Sequence, residues 1–207
     1  MTRPAHSDNF NPTPLQFQLP GAELSLWPGF LKATAASQLQ QQLTTELDWQ
    51  QENILMFGKK VAIPRTQVWM GEPHCSYRYS GTLFQPQRWH AQVQQLAQQL
   101  SQFLGQPFNA VLLNRYIDGQ QHMGWHADNE AELGPQPLIA SLSLGQPRRF
   151  DLKHRQLDCQ LQLTLEHGSL LLMAGGCQRY WLHRLPKQAR CTAERINLTF
   201  RYIKPPF

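Results

Sequence analysis

The stretch Arg195-Ile196-Asn197-Leu198-Thr199-Phe200-Arg201 alternates between polar and apolar residues without a break. A period of two is that of a β-strand, so Ile196, Leu198 and Phe200 share one face while Arg195, Asn197, Thr199 and Arg201 share the other. Working back from it, Cys159-Gln160-Leu161-Gln162-Leu163-Thr164-Leu165 alternates in the same way. Residues 110–117, 138–144 and 169–173 are short runs of the same kind, rich in branched or aromatic side chains and bounded by turn residues. Strands at this spacing, with no helical pattern between them, predict a β-sandwich or jelly roll for residues 109–207.

The front half reads differently. Leu39, Leu43 and Leu47 recur at four-residue steps and predict a glutamine-rich helix over 31–47. A second helix is clearer: Trp89, Val93, Leu96, Leu100 and Phe103 fall on one face, and Gly105 then Pro107 stop it. Residues 53–85 read as short strands and turns. Residues 1–20 carry Pro4, Pro12, Pro14 and Pro20 with few residues of the buried type, and are expected to form a flexible arm. A single domain over 21–207 follows, helix-rich across 21–108.

A length of 207 residues suits one domain, and 41% hydrophobic against 16% charged residues describes a globular chain. No apolar run approaches the roughly 18 residues of a membrane span, and Met1 to Asn9 lack a secretory core, so a soluble cytoplasmic protein is expected, with monomer as the default state. The four cysteines form no CxxC pair, which argues against a zinc ribbon or a thioredoxin-like site. The net charge of +5 is more pointed. Arg148, Arg149, Lys153, Arg155, Arg179, Arg184, Lys187 and Arg190 crowd the last third, a field suited to a polyanion.

Gly124-Trp125-His126-Ala127-Asp128 sets a histidine and a carboxylate two apart, so that on extended backbone both reach the same ion. Among eight histidines one such pair arises easily by chance. A third ligand must come from elsewhere, and His183 follows the later strands. Two histidines and one carboxylate on one face of an octahedron leave three positions open, as in non-haem Fe(II) oxygenases. The polar face of 195–201 adds to this. Two buried guanidinium groups without an anion would be costly, by roughly several kcal/mol. A small dicarboxylate complements them, forked onto each arginine. The other reading of that face is a solvated strand, or one paired with acidic side chains.

Asn114-Arg115-Tyr116, His126-Ala127-Asp128, His183 and Arg195-x-Asn197-x-Thr199-x-Arg201, in this order and spacing, resemble the AlkB family of 2-oxoglutarate dioxygenases over residues 55–203. Phe57-Gly58-Lys59, Pro64-Arg65, Ser80-Gly81 and Ile139-Ala140-Ser141-Leu142-Ser143 resemble its members that repair double-stranded DNA. The resemblance implies an α+β, mainly β fold: a double-stranded β-helix (jelly roll) core with helices and a nucleotide-recognition lid from the N-terminal half. It implies Fe(II) held by His126, Asp128 and His183, and 2-oxoglutarate held by Asn114, Tyr116, Arg195, Asn197 and Arg201, with O2 as oxidant. Alkyl groups on bases such as 1-methyladenine and 3-methylcytosine would leave as formaldehyde, with succinate and CO2 released.

The same resemblance puts Tyr79 against the base opposite His126, with Tyr77 and Glu130 as polar contacts. Phe57, in an apolar tip followed by Lys59 and Lys60, suits a wedge that fills the gap left by a flipped base, with the lysines on phosphates. Asn129 departs from the pattern, because duplex-acting relatives usually have a second acidic residue there. His122, close to His126 but on a turn, is expected at the surface and not as a fourth ligand. His154 and His167 lack motif partners, and Trp125 and Trp181 are expected to pack the core beneath the metal. DNA is favoured over RNA as partner. Rival readings are an iron hydroxylase of protein or small molecules, a zinc hydrolase, and a non-enzymatic nucleic-acid module.

Overall fold

The computed structural model describes residues 13–56, 59–79 and 82–205, with backbone alone over 54–56, 59–60, 77–79 and 82–84. In chain order the elements are β1 (Leu15–Leu19), β2 (Ala22–Trp27), α1 (Ala33–Glu46), β3 (Asn53–Met56), β4 (Lys59–Ala62), β5 (Thr66–Gly71), β6 (Tyr77–Tyr79), β7 (Thr82–Phe84) and α2 (Ala91–Leu104). The second half holds β8 (Ala110–Tyr116), β9 (Met123–His126), β10 (Ile139–Gly145), β11 (Arg148–His154), β12 (Gln160–Leu165), β13 (Leu170–Gly175), α3 (Cys177–Tyr180), β14 (Trp181–Leu185) and β15 (Arg195–Arg201).

Two antiparallel sheets make the body. The larger runs β1-β2-β13-β10-β15-β8-β5 and the smaller β12-β11-β14-β9. Their facing sides enclose a core that includes Leu24, Leu112, Ile139, Leu152, Leu171 and Trp181. The far side of the larger sheet carries α1 and α2, through Leu43, Val93, Leu96 and Leu100 against Leu113, Leu142, Ile196, Leu198 and Phe200. This is the expected double-stranded β-helix with helices on one flank. Helix α2 ends as its sequence requires: Gly105 takes φ 65°, open to glycine without a Cβ penalty, and its N–H caps Ser101 O.

Two expectations about the front half change. Within the arm expected over residues 1–20, Leu15–Leu19 is a strand instead, with β1 registered on β2 from Leu15↔Leu26 to Leu19↔Ala22. Phe17 and Leu19 pack on the core between the sheets, so this short alternating run has a face to bury. Nor is the β body confined to residues 109–207. Strands β1, β2 and β5 complete the larger sheet, and β5 pairs with β8 from Thr66↔Arg115 to Gly71↔Ala110. Its residues from Gln67 to Gly71 are all buried, which erases the alternation that marks a half-exposed strand. Strands β3 and β4 form a separate antiparallel pair, as do β6 and β7.

Candidate metal centre and co-substrate pocket

His126 is the last residue of β9 and lies across from His183 of β14, with ring centroids 4.2 Å apart. A register shift between His183 and Leu185 bends this pair of strands beside the histidines. Asp128 follows two residues past His126. Ligand atoms of His126, Asp128 and His183 all lie within 4.8 Å of one another. Among the described residues they form the single group of three or more side chains able to share an ion.

Electrostatics set the protonation states a metal needs. Burial pushes His183 down to about 3, and neighbouring His126 pushes the same way. His126 is also lowered, first by burial. Both rings are therefore neutral at neutral pH, with lone pairs available. Burial would raise Asp128, but the charge of Arg201 and its hydrogen bond to the carboxylate overcome it and hold the carboxyl below its usual range. His126 Nδ1 lies 2.9 Å from Gly124 O, which can only accept, so that nitrogen carries the proton and Nε2 is left to coordinate. His183 stacks on Phe150, and its buried Nδ1 has no hydrogen-bond partner among the described residues. Two neutral imidazoles, one carboxylate and an orphaned ring nitrogen fit a divalent ion of the Fe(II) kind.

The cluster opens onto a cleft of about 460 Å³, counted to its open mouth, floored by β8, β10 and β15. Here the polar face of β15 is turned inward, and its two arginines meet different partners. Arg201 Nη2 donates to Asp128 Oδ1 at 2.6 Å, a buried ion pair. Arg195 Nη2 donates to Ser143 Oγ at 2.9 Å and Asn197 Oδ1 at 2.8 Å. Its guanidinium lies over the Tyr116 ring, 5.7 Å from the centroid. Among the described residues no carboxylate pairs with Arg195, and its buried Nε has no partner. Burial lowers its pKa to about 10, so it stays charged through the neutral range. Asn197 is held on both sides, accepting from Ser141 Oγ and donating to Thr199 Oγ1. Asn114 Oδ1 accepts from Arg65 Nε at 2.7 Å.

A second, smaller cleft of about 280 Å³ shares His126, Asp128 and Arg201 with the first and adds Arg65, Gln67 and Glu130. Glu130 is raised by burial against the opposing pull of Arg201, and its Oε2 is buried with no hydrogen-bond partner among the described residues.

The structure thus brings His126, Asp128, His183, Asn114, Tyr116, Arg195, Asn197 and Arg201 around one cleft, and Glu130 to its neighbour. Phe57 lies outside the described residues, as do the side chains of Lys59, Lys60, Tyr77 and Tyr79. Arg65, Gln67, Ser141, Ser143 and Gln178 carry no role that their sequence positions alone announce. Of these, Arg65, Ser141 and Ser143 stand inside family motifs, which is the available signal.

Two other readings change. Trp181 is core, but Trp125 takes the cations of Lys153 and Arg184 over its ring, 4.6 and 4.4 Å from the centroid, instead of packing beneath the cluster. The basic field is smaller than its count. Arg148 is buried among the carbonyls of Asp118, Gln121 and Pro186, and Arg149 and Arg184 both pair with Asp151.

A double-stranded β-helix with this donor set and an inward arginine pair defines an Fe(II)- and 2-oxoglutarate-dependent dioxygenase, and residues 23–201 match the 2OG-Fe(II) oxygenase superfamily. Within that superfamily the chain belongs to the AlkB family. It is 32% identical over 194 residues to human alpha-ketoglutarate-dependent dioxygenase alkB homolog 3, covering 89% of this chain and 67% of that protein. It is 38% identical over 160 residues to the mouse (Mus musculus) DNA oxidative demethylase ALKBH2, covering 73% and 67%. Among solved structures, OsALKBH1 superposes with a TM-score of 0.63 at 18% identity over 91% of this chain and 99% of that one, a likeness of fold.

Proposed function

We propose that this dioxygenase removes N-alkyl groups from bases in DNA, with 1-methyladenine and 3-methylcytosine as substrates. The observation that carries the reading is the pair of adjoining clefts. One joins the metal cluster to the arginine floor, and the other shares the cluster but is edged by Glu130, Arg65 and Gln67. Identity to relatives named as DNA oxidative demethylases supports it.

His126, Asp128 and His183 would hold Fe(II), which with 2-oxoglutarate and O2 supplies the oxidation of a substrate C–H bond. Arg201 is committed to Asp128 at the metal end, so the distal carboxylate of 2-oxoglutarate falls to Arg195. Tyr116 and Asn197 align that guanidinium, and Asn114, braced by Arg65, lines the same cleft. Glu130 offers a carboxyl to the polar edge of a base in the second cleft. With Asp128 and His183 only 4% and 3% exposed, a base in a duplex cannot reach the site without leaving the stack. Tyr79 then stacks on the base, Tyr77 contacts it, Phe57 fills the gap, and Lys59 and Lys60 meet phosphates.

The test is mass spectrometry of matched duplex and single-stranded oligonucleotides carrying either lesion, incubated with Fe(II), ascorbate and 2-oxoglutarate. Methyl loss that requires 2-oxoglutarate and disappears in Asp128→Ala is expected, with Phe57→Ala losing activity selectively on duplex. Conversion of 2-oxoglutarate to succinate without methyl loss from either DNA would move the substrate to RNA or protein. Full turnover by Asp128→Ala would sink the ligand assignment.

A further inference from the structure

Asp128 poses a mechanical problem. The ladder between β9 and β14 reaches no further along β9 than His126↔His183, so the carboxylate of the cluster stands two residues beyond it. Among the described residues no strand pairs with its backbone. The side chain is held by Arg201, but a guanidinium on a long stem does not set where the Cα stands. What grips the backbone is Gln178. Its Oε1 accepts from the Asp128 N–H at 2.9 Å, and its Nε2 donates to Met173 Sδ at 3.6 Å. The residue is 1% exposed and spans from α3 to the metal loop.

The gripping side chain is itself anchored. The residue before α3, Gly176, donates its N–H to Gly21 O in the β1–β2 turn. A Cβ there would come within 2.6 Å of that same oxygen and 2.5 Å of the Tyr180 ring. The helix is therefore seated tightly against the turn, and it runs directly into β14, which carries His183. Gln178 and His183 belong to one continuous segment, five residues apart. Through Gln178 that segment reaches across to the separate loop bearing Asp128.

We infer that Gln178 is a positioning residue for the metal centre, fixing the Asp128 backbone relative to His183 so that the carboxylate and the two imidazoles face one ion. It touches neither the ion nor substrate. The inference rests on the assignment of His126, Asp128 and His183 as metal ligands. Partners that orient ligands in this way change metal affinity by about 10–100-fold when removed. The same bond explains why a glutamine is buried here, since an amide without partners would be costly.

The experiment uses the full chain stripped of metal and titrated with Co(II), followed by calorimetry and by the visible absorption of the bound ion. Gln178→Met keeps length and bulk and replaces the amide oxygen that accepts from Asp128 by a thioether, a much weaker acceptor. It is expected to weaken Co(II) binding about 10–100-fold and to alter the absorption bands at saturation. Val93→Ala, in α2 and away from the cluster, serves as the stability control: its melting temperature falls while Co(II) affinity and bands stay those of the unmodified protein. Should Gln178→Met not fold, Gln178→Asn, which keeps an amide but withdraws its oxygen by one methylene, is measured in the same way. Co(II) affinity within about twofold of the unmodified protein, with unchanged bands, would overturn the inference, being far below the change that loss of an orienting partner brings. Failure of the unmodified protein to bind Co(II) would instead overturn the ligand assignment beneath it.

Discussion

The two faces of β15 are both buried, yet they meet burial in opposite ways. Ile196, Leu198 and Phe200 are wholly inaccessible and join the helices α1 and α2 in an apolar cluster. Arg195, Asn197, Thr199 and Arg201 are nearly as inaccessible, but they face the cleft between the sheets and are tied by hydrogen bonds to one another, to Ser143 and to Asp128. The helix-side face contributes stability through transfer of apolar surface. The cleft-side face offsets part of that gain by keeping a cation dry and incompletely partnered, which serves the molecule only when an anion arrives. A buried strand is thus not one environment, and substitutions a few residues apart should separate folding from binding.

The largest expected effect is on the helix side. Leu198→Ala removes a fully buried side chain from the apolar cluster and is expected to cost about 2–5 kcal/mol of unfolding free energy. Denaturant melts measure it. The surviving folded protein should keep its KM for 2-oxoglutarate, since Leu198 packs away from the cleft. A raised KM at full folding would mean that the two faces are coupled through the backbone, and the contrast would fail.

Next comes Arg195→Met on the cleft side. Loss of a charge-assisted contact, worth about 1.5–3 kcal/mol, should raise the KM for 2-oxoglutarate by roughly 10–100-fold. The melting temperature of the ligand-free protein should hold or rise, because a buried guanidinium without a carboxylate is exchanged for a thioether. Thermal melts with and without 2-oxoglutarate separate the two effects, and the stabilisation by ligand should shrink in the variant. A large loss of ligand-free stability would mean that Arg195 holds the fold as Leu198 does.

Much of this contrast is legible in the sequence, because a strand's period is local and the chemistry-bearing residues of 195–201 and 126–128 sit on it. The contacts that complete the site are not local. Arg201 meets Asp128 across 73 residues, and Gln178 meets it across 50, so no spacing rule announces either. Arg201 also shows why both readings of the polar face are needed: Arg195 keeps no acidic partner among the described residues, whereas Arg201 is paired with an acidic side chain. Strand β5 is hidden as a member of the larger sheet because full burial removes alternation. Strand β11 is hidden for another reason: its cations read as surface charge, while Arg148 is drawn into a cage of carbonyls and Arg149 is neutralised by Asp151.

The finest cut through the comparison is Ser143→Ala. Ser143 lies on β10 opposite Asn197 and accepts from Arg195 Nη2 at 2.9 Å. It stands behind the guanidinium and does not line the cleft, so its removal tests whether the cleft face works by charge alone or by charge held in place. Arg195 keeps its bond to Asn197 and its seat over Tyr116, and the guanidinium remains buried and charged. If orientation matters, the KM for 2-oxoglutarate should rise by roughly fivefold, the share of one hydrogen bond of about 1 kcal/mol, with kcat nearly unchanged. An unchanged KM would mean that Asn197 and Tyr116 suffice to aim Arg195. A change as large as that of Arg195→Met would mean that the guanidinium swings out of the cleft without its serine, so that the polar face depends on its hydrogen bonds as completely as the apolar face depends on its packing.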